Sequence, residues 1–228
     1  MTTYWNQYVA PDRILIAYGG PRHEFDSIGN SRKIFVDDPR LRTRHHARER
    51  QSYTGLFRAA AEWLDTRGQE FQFVHFAEYD HIPLMSDLNK RQIERLKSEH
   101  ADVLGFWAAR FDGTNHPHFL YHASNPEFGR FWKRITRRAD PTVVLSIFGS
   151  GSFWTHEAFC AVALTEEPFP MYTEIYLPTL AHHLGFRVRG FGEQNQFVRP
   201  MGDATSQIDE ARAQGAWTLH PVKRLWTN

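Results

Sequence analysis

Apolar positions along the chain fall into short β-prone runs separated by stretches of helical period. Residues 13–18 (RILIAY), 33–36 (KIFV), the front of 71–84 (FQFVHFAEYDHIPL), 101–111 (ADVLGFWAARF), 143–148 and 186–191 read as buried strands. Tyr53, Leu56, Phe57, Ala60, Trp63 and Leu64 recur at three-to-four spacing and stop near Arg67-Gly68, which predicts a helix. Ser86 is placed to cap a second helix with Leu88, Ile93 and Leu96 inward. Residues 127–138, 155–163 and 172–184 predict three more, and the polar, His-rich stretch 112–122 reads as a loop. Strands and helices alternate through the first half, the pattern of an α/β layer fold with a mostly parallel sheet.

The chain has 228 residues, a length that suits one domain, and no repeat, low-complexity tract or linker divides it. It is 41% hydrophobic with 18 Phe, 7 Trp and 8 Tyr, enough to fill a core and leave rings for a pocket. A net charge of +1 gives no general electrostatic reason to bind nucleic acid or a membrane surface. Cys160 stands alone, so no intrachain disulfide or zinc ribbon is possible. No stretch approaches the roughly 20 apolar residues of a membrane span, and the N-terminus lacks an apolar signal core. A cytoplasmic setting is the expectation.

The chemistry concentrates after the run 71–76. Glu78 and Asp80, one residue apart past a strand, project from the same side of an extended segment. Such a pair suits a hard divalent cation, which takes oxygen ligands, and the carboxyl ends of strands are where open α/β sheets bind ligands. The alternative is a polar strand end whose acids cap the helix near Ser86. Gly19-Gly20 after the first strand reads as a plain turn or as a close backbone approach to a ligand. The basic run 40–50 is a solvated surface with some arginines shaped to reach a diphosphate. Gly149 and Gly151 would let backbone amides approach a ligand, and Phe153, Trp154 and Trp107 are candidate aromatic platforms, although core burial is the commoner use of such rings. His81, His116, His118, His122, His182 and His183 lack matching acids and read as surface or core.

In order and spacing these features resemble a nucleotide-sugar-dependent glycosyltransferase of the GT-A fold, family-2-like, over residues 13–223. Glu78-Tyr79-Asp80 looks like that family's DxD metal motif, and FGSGSF at 148–153 looks like its acceptor loop. Tyr172-Thr173-Glu174 stands where the family's late acidic motif stands, and His220 looks like its C-terminal histidine. The resemblance implies a three-layer α/β/α sandwich, with a nucleotide-binding half at about 10–112 and an acceptor-binding half at about 113–228. It implies Mn²⁺ or Mg²⁺ on Asp80, on Glu78 directly or through water, and on His220, with a nucleoside diphosphate sugar as donor. Tyr18, Gly19 and Asp37 take the base and ribose positions, and Glu78 is a second candidate for the ribose. Glu174 is implied as the base of an inverting transfer to a glycan or small-molecule acceptor, with Glu166 and Glu167 as substitutes. The late motif is TEI rather than a glutamate-aspartate pair, a departure that bears on the base. Two competing readings are a nucleotidyltransferase, which GGPRHEF matches poorly, and a catalytically silent binding protein.

Overall fold

The computed structural model describes residues 2–38, 41 and 54–226. Apart from Leu41, the basic run 40–50 lies outside them, as does Tyr53. The chain opens with α1 (Thr2–Trp5), β1 (Ile16–Tyr18), α2 (Arg22–Ser27) and β2 (Lys33–Phe35). The amphipathic α3 (Thr54–Thr66) leads to β3 (Phe73–Phe76) and the short β4 (Ile82–Pro83). Helix α4 (Leu88–Ser98) starts one residue later than expected, with Asp87 rather than Ser86 at its N-cap.

The single run expected over 101–111 is two strands, β5 (Val103–Gly105) and β6 (Ala109–Phe111). They are broken at Trp107, whose φ of 52° no strand accommodates. The His-rich stretch is partly helical, because Pro117 starts α5 (Pro117–Ala123) and buries Phe119 and His122. Asn125 caps α6 (Pro126–Ile135) through the Glu127 amide. Then come β7 (Val144–Ser146), β8 (Ser152–Thr155), α7 (His156–Ala163), α8 (Thr173–His183), β9 (Val188–Gly190), α9 (Ile208–Ala213) and β10 (Thr218–Leu219).

The protein is α/β, and its main sheet has the order β3-β8-β5-β9. A mostly parallel sheet is the sequence expectation; the observed one is mixed, since β8 runs antiparallel to both β3 and β5 while β5 and β9 are parallel. The difference traces to β8, which falls between the expected 143–148 strand and 155–163 helix and whose Phe153 and Trp154 alternate across the sheet. Phe153 stacks on Phe73 at 5.5 Å, and Trp154 meets Phe57 edge-on at 5.0 Å. Alternate residues of β5 and β8 therefore enter two separate cores. Val103 and Trp154 pack with Phe57, Phe159 and Ile175 from α3, α7 and α8. Leu104 and Phe153 pack with Leu96, Phe106 and Phe191. β1 and β2 form a separate parallel pair, and β6 and β7 an antiparallel one. A third core joins the chain's end to its middle: Ile82 and Leu84 bury against Leu219, Val222 and Phe197. Among the described residues no helix is long and apolar enough to cross a membrane.

Candidate metal centre

β3 ends at Phe76, and the chain turns back so that the His81 amide bonds the Glu78 carbonyl at 3.1 Å. The returning segment forms β4, which pairs antiparallel with β10. That ladder brings a residue 142 positions away to the turn: the Val222 amide donates to the Asp80 carbonyl at 2.8 Å. His220 also bridges to Val198, and its Nδ1 lies 2.8 Å from the Arg199 carbonyl. Only a protonated Nδ1 can donate to a carbonyl, so Nε2 is the atom that faces the acids. Nε2 lies 3.3 Å from Asp80 Oδ1 and 3.7 Å from Glu78 Oε2. The ligand atoms of Glu78, Asp80 and His220 all lie within 4.8 Å of one another. Asp80 and His220 are buried, whereas the Glu78 side chain is 52% exposed, so the centre opens on one side.

Electrostatics define what this centre needs. Burial alone would lower the His220 pKa, but the Asp80 and Glu78 carboxylates outweigh it and push it up to about 9. In the metal-free protein a proton on His220 thus stands in for a cation. Asp80 Oδ1 is buried without a directed hydrogen bond, and the His220 imidazolium 3.3 Å away meets its charge. Two carboxylates and one imidazole form a donor set acceptable to Mn²⁺ and less natural for Mg²⁺.

The loop between β7 and β8 clamps this centre. Ser150 is fully buried, and its Oγ accepts the Glu78 amide at 2.9 Å while lying 3.0 Å from His81 Nδ1. Burial first, then the neighbouring His75 and His220, holds His81 well below the usual histidine range. His81 is therefore neutral, and the Ser150 hydroxyl is free to donate to it. Gly151 has φ 81°, and a Cβ there would sit 2.2 Å from His81 Cε1. Only glycine fits. Ser150 lies within the expected acceptor loop and His81 reads as surface or core, but their bonds to each other and to Glu78 are not legible in the sequence, because they span 69 to 72 residues.

Glu174, at the start of α8, accepts the Gly149 amide at 2.8 Å through Oε1. Burial raises its pKa, the Gly149 amide and the Tyr172 hydroxyl oppose that, and the Glu78 charge adds to the rise. The Glu78 charge is the smallest of these effects on Glu174. The role expected for the glycine amides needs correction: Gly149 N–H is spent on Glu174 and Gly151 N–H on the Phe76 carbonyl at 2.9 Å. Neither is left to meet a phosphate.

The remaining expected residues lie elsewhere. Tyr18 ends β1 in the β1–β2 pair, with its hydroxyl bonded to Glu24, and Gly19 follows it. Gly19 is buried so closely under Leu41 that an added Cβ would lie 2.3 Å from its Cδ1, so the close approach there is to a side chain. Asp37 is exposed just past β2. Phe153 and Trp154 are buried and cannot be platforms, whereas Trp107 is 51% exposed. A second histidine grouping, Asp140 with His182 and His183, is a structural tie. Its His183 accepts the Arg137 amide at Nδ1 and reaches the Val143 carbonyl through Nε2, leaving no ring nitrogen for a metal. No protein-family model matches the sequence, and no curated protein does.

Proposed function

We propose that this chain is a metal-dependent glycosyltransferase that moves a sugar from a nucleoside diphosphate sugar to an acceptor hydroxyl with inversion. The observation that carries the reading is the convergence of Glu78, Asp80 and His220 within 4.8 Å just past β3, an edge strand of the main sheet. Mn²⁺ or Mg²⁺ held there would act as a Lewis acid on a leaving diphosphate. Asp80 and His220, both buried, would hold the ion, while the more exposed Glu78 would contact it directly or through water. Glu174 would take the acceptor's proton, a role its raised pKa and its place beside Glu78 support. Tyr18 and Asp37 would bound the nucleotide from the β1–β2 side, with Gly19 packed behind them under Leu41. Helices on both faces of the β3-β8-β5-β9 sheet fit the three-layer sandwich such enzymes use, with its antiparallel strand inside.

Calorimetric titration of UDP, GDP, UTP and GTP with and without Mn²⁺ tests the proposal. Binding of one of them that requires the metal supports it. A preference for a nucleoside triphosphate, or no nucleotide binding at all, overturns it.

A further inference from the structure

Trp107 stands apart from every other tryptophan whose side chain the structure describes. Trp154 is fully buried, and Trp5, Trp63, Trp132 and Trp217 are partly covered, yet Trp107 exposes half of its surface. Its backbone sits at φ 52°, a conformation that costs an aromatic residue and persists only when its surroundings enforce it. Two contacts enforce it here. The Trp107 amide donates to Asn195 Oδ1 at 3.0 Å, and the indole Nε1–H donates to the Val198 carbonyl at 2.8 Å. Val198 is the residue that bridges to His220, so one short segment holds both the metal ligand and the indole. On its other side, Phe106 carries a ring that packs on His81 at 5.5 Å and a carbonyl that accepts the Phe148 amide at 2.8 Å. The indole is thus fixed to the metal centre from two directions.

Both N–H groups of Trp107 are used inside the protein, so what it offers outward is a ring face with no hydrogen bond to give. That chemistry recognises a flat array of C–H groups and leaves hydroxyls to other partners. The half-exposed Glu78 belongs to that centre, and Glu174 bonds the Gly149 amide, next to the Phe148 amide that the Phe106 carbonyl holds. We infer that Trp107 is the platform on which a pyranose ring of the acceptor stacks, which makes the acceptor a carbohydrate or glycoside. This deepens the proposed function and places the acceptor at the end of β5, across β8 from the strand that carries the acidic pair.

Saturation-transfer NMR tests it, with Mg²⁺ and UDP or GDP present and four probes: the methyl glycosides of β-glucose, β-galactose, α-mannose and β-N-acetylglucosamine. At least one should receive saturation on the C–H protons of a single ring face. Trp107→Ala should reduce that signal to background, and Trp107→Phe should keep it. Trp107→Gly serves as the second deletion, because glycine accepts φ 52° without strain and so separates loss of the ring from loss of folding. All three variants should bind nucleotide with metal as the wild type does. The inference is overturned if no glycoside is saturated by the wild type, if Trp107→Gly keeps the signal, or if removing the ring abolishes nucleotide binding instead. A wild type that binds glycosides through Trp107 but never binds nucleotide would reject the proposed function while leaving the platform in place.

Discussion

A cation entering the Glu78, Asp80 and His220 centre has to expel a proton. With its pKa at about 9 against an ordinary 6.5, His220 is protonated at neutral pH, and its Nε2 lone pair is then not available to a metal. At pH 7 the neutral fraction is about 1%, so Mn²⁺ affinity should be about 100-fold below its high-pH limit, or about 2.7 kcal/mol at 1.36 kcal/mol per pH unit. Apparent affinity should tighten about tenfold per unit between about pH 6 and pH 8, with about one proton released per ion bound. Calorimetry in two buffers of different ionisation heat measures both quantities on one sample. His220→Gln should bind more weakly at the upper end of this range and show no such slope. A wild-type affinity flat across this range, with no proton released, would refute the argument that His220 is both charged in the metal-free protein and a ligand. The same shift has a consequence for stability. Because the folded pKa lies above the unfolded one, the contribution of His220 is complete below about pH 6.5 and is lost as pH rises through about 9. The metal-free wild type should therefore lose more thermal stability than His220→Gln over that window.

Further expectations follow from the clamp and the base. Ser150→Ala unpairs the Glu78 amide and His81 Nδ1, so Mn²⁺ affinity should fall about 10–100-fold and unfolding free energy by about 1–3 kcal/mol; an unchanged affinity would mean that the loop does not position Glu78. Gly151→Ala places a Cβ 2.2 Å from His81 Cε1 at φ 81°, and urea denaturation should show a loss of at least about 1–3 kcal/mol; wild-type stability would contradict the packing. Glu174→Gln should lower turnover by about 10²–10⁴-fold with nucleotide affinity unchanged, and a product that keeps the donor's anomeric configuration would reject Glu174 as the base. Since the Glu174 pKa is raised, wild-type turnover should fall on the acid side at a pH above the usual carboxylate range.

Sequence pattern exposes what depends on near neighbours. The run Phe73-Val74-His75-Phe76 reads as a strand because its rings and β-branched residues are contiguous, and the acids after it read as a metal motif for the same local reason. The helical period of 54–66 is equally local. β8 escapes because four residues that alternate between two cores are too short a run to stand out between the glycines at 149 and 151 and the helix that follows. The break at Trp107 escapes because its cause is Asn195 and Val198, some 90 residues on. The tail shows both sides of the matter. His220 is legible as a ligand candidate, yet the sequence does not disclose that Leu219 and Val222 on either side of it are core. A deletion from Trp217 onward would strip that core along with the ligand, so point substitution of His220 is the informative perturbation.

The central claim is that Glu78, Asp80 and His220 together hold one divalent cation. Electron paramagnetic resonance of free Mn²⁺, titrated with wild type, Asp80→Asn and His220→Ala, counts that site directly. The structure predicts one ion bound per wild-type chain and binding lost in Asp80→Asn, with His220→Ala intermediate. Equal Mn²⁺ uptake by wild type and a folded Asp80→Asn would contradict it.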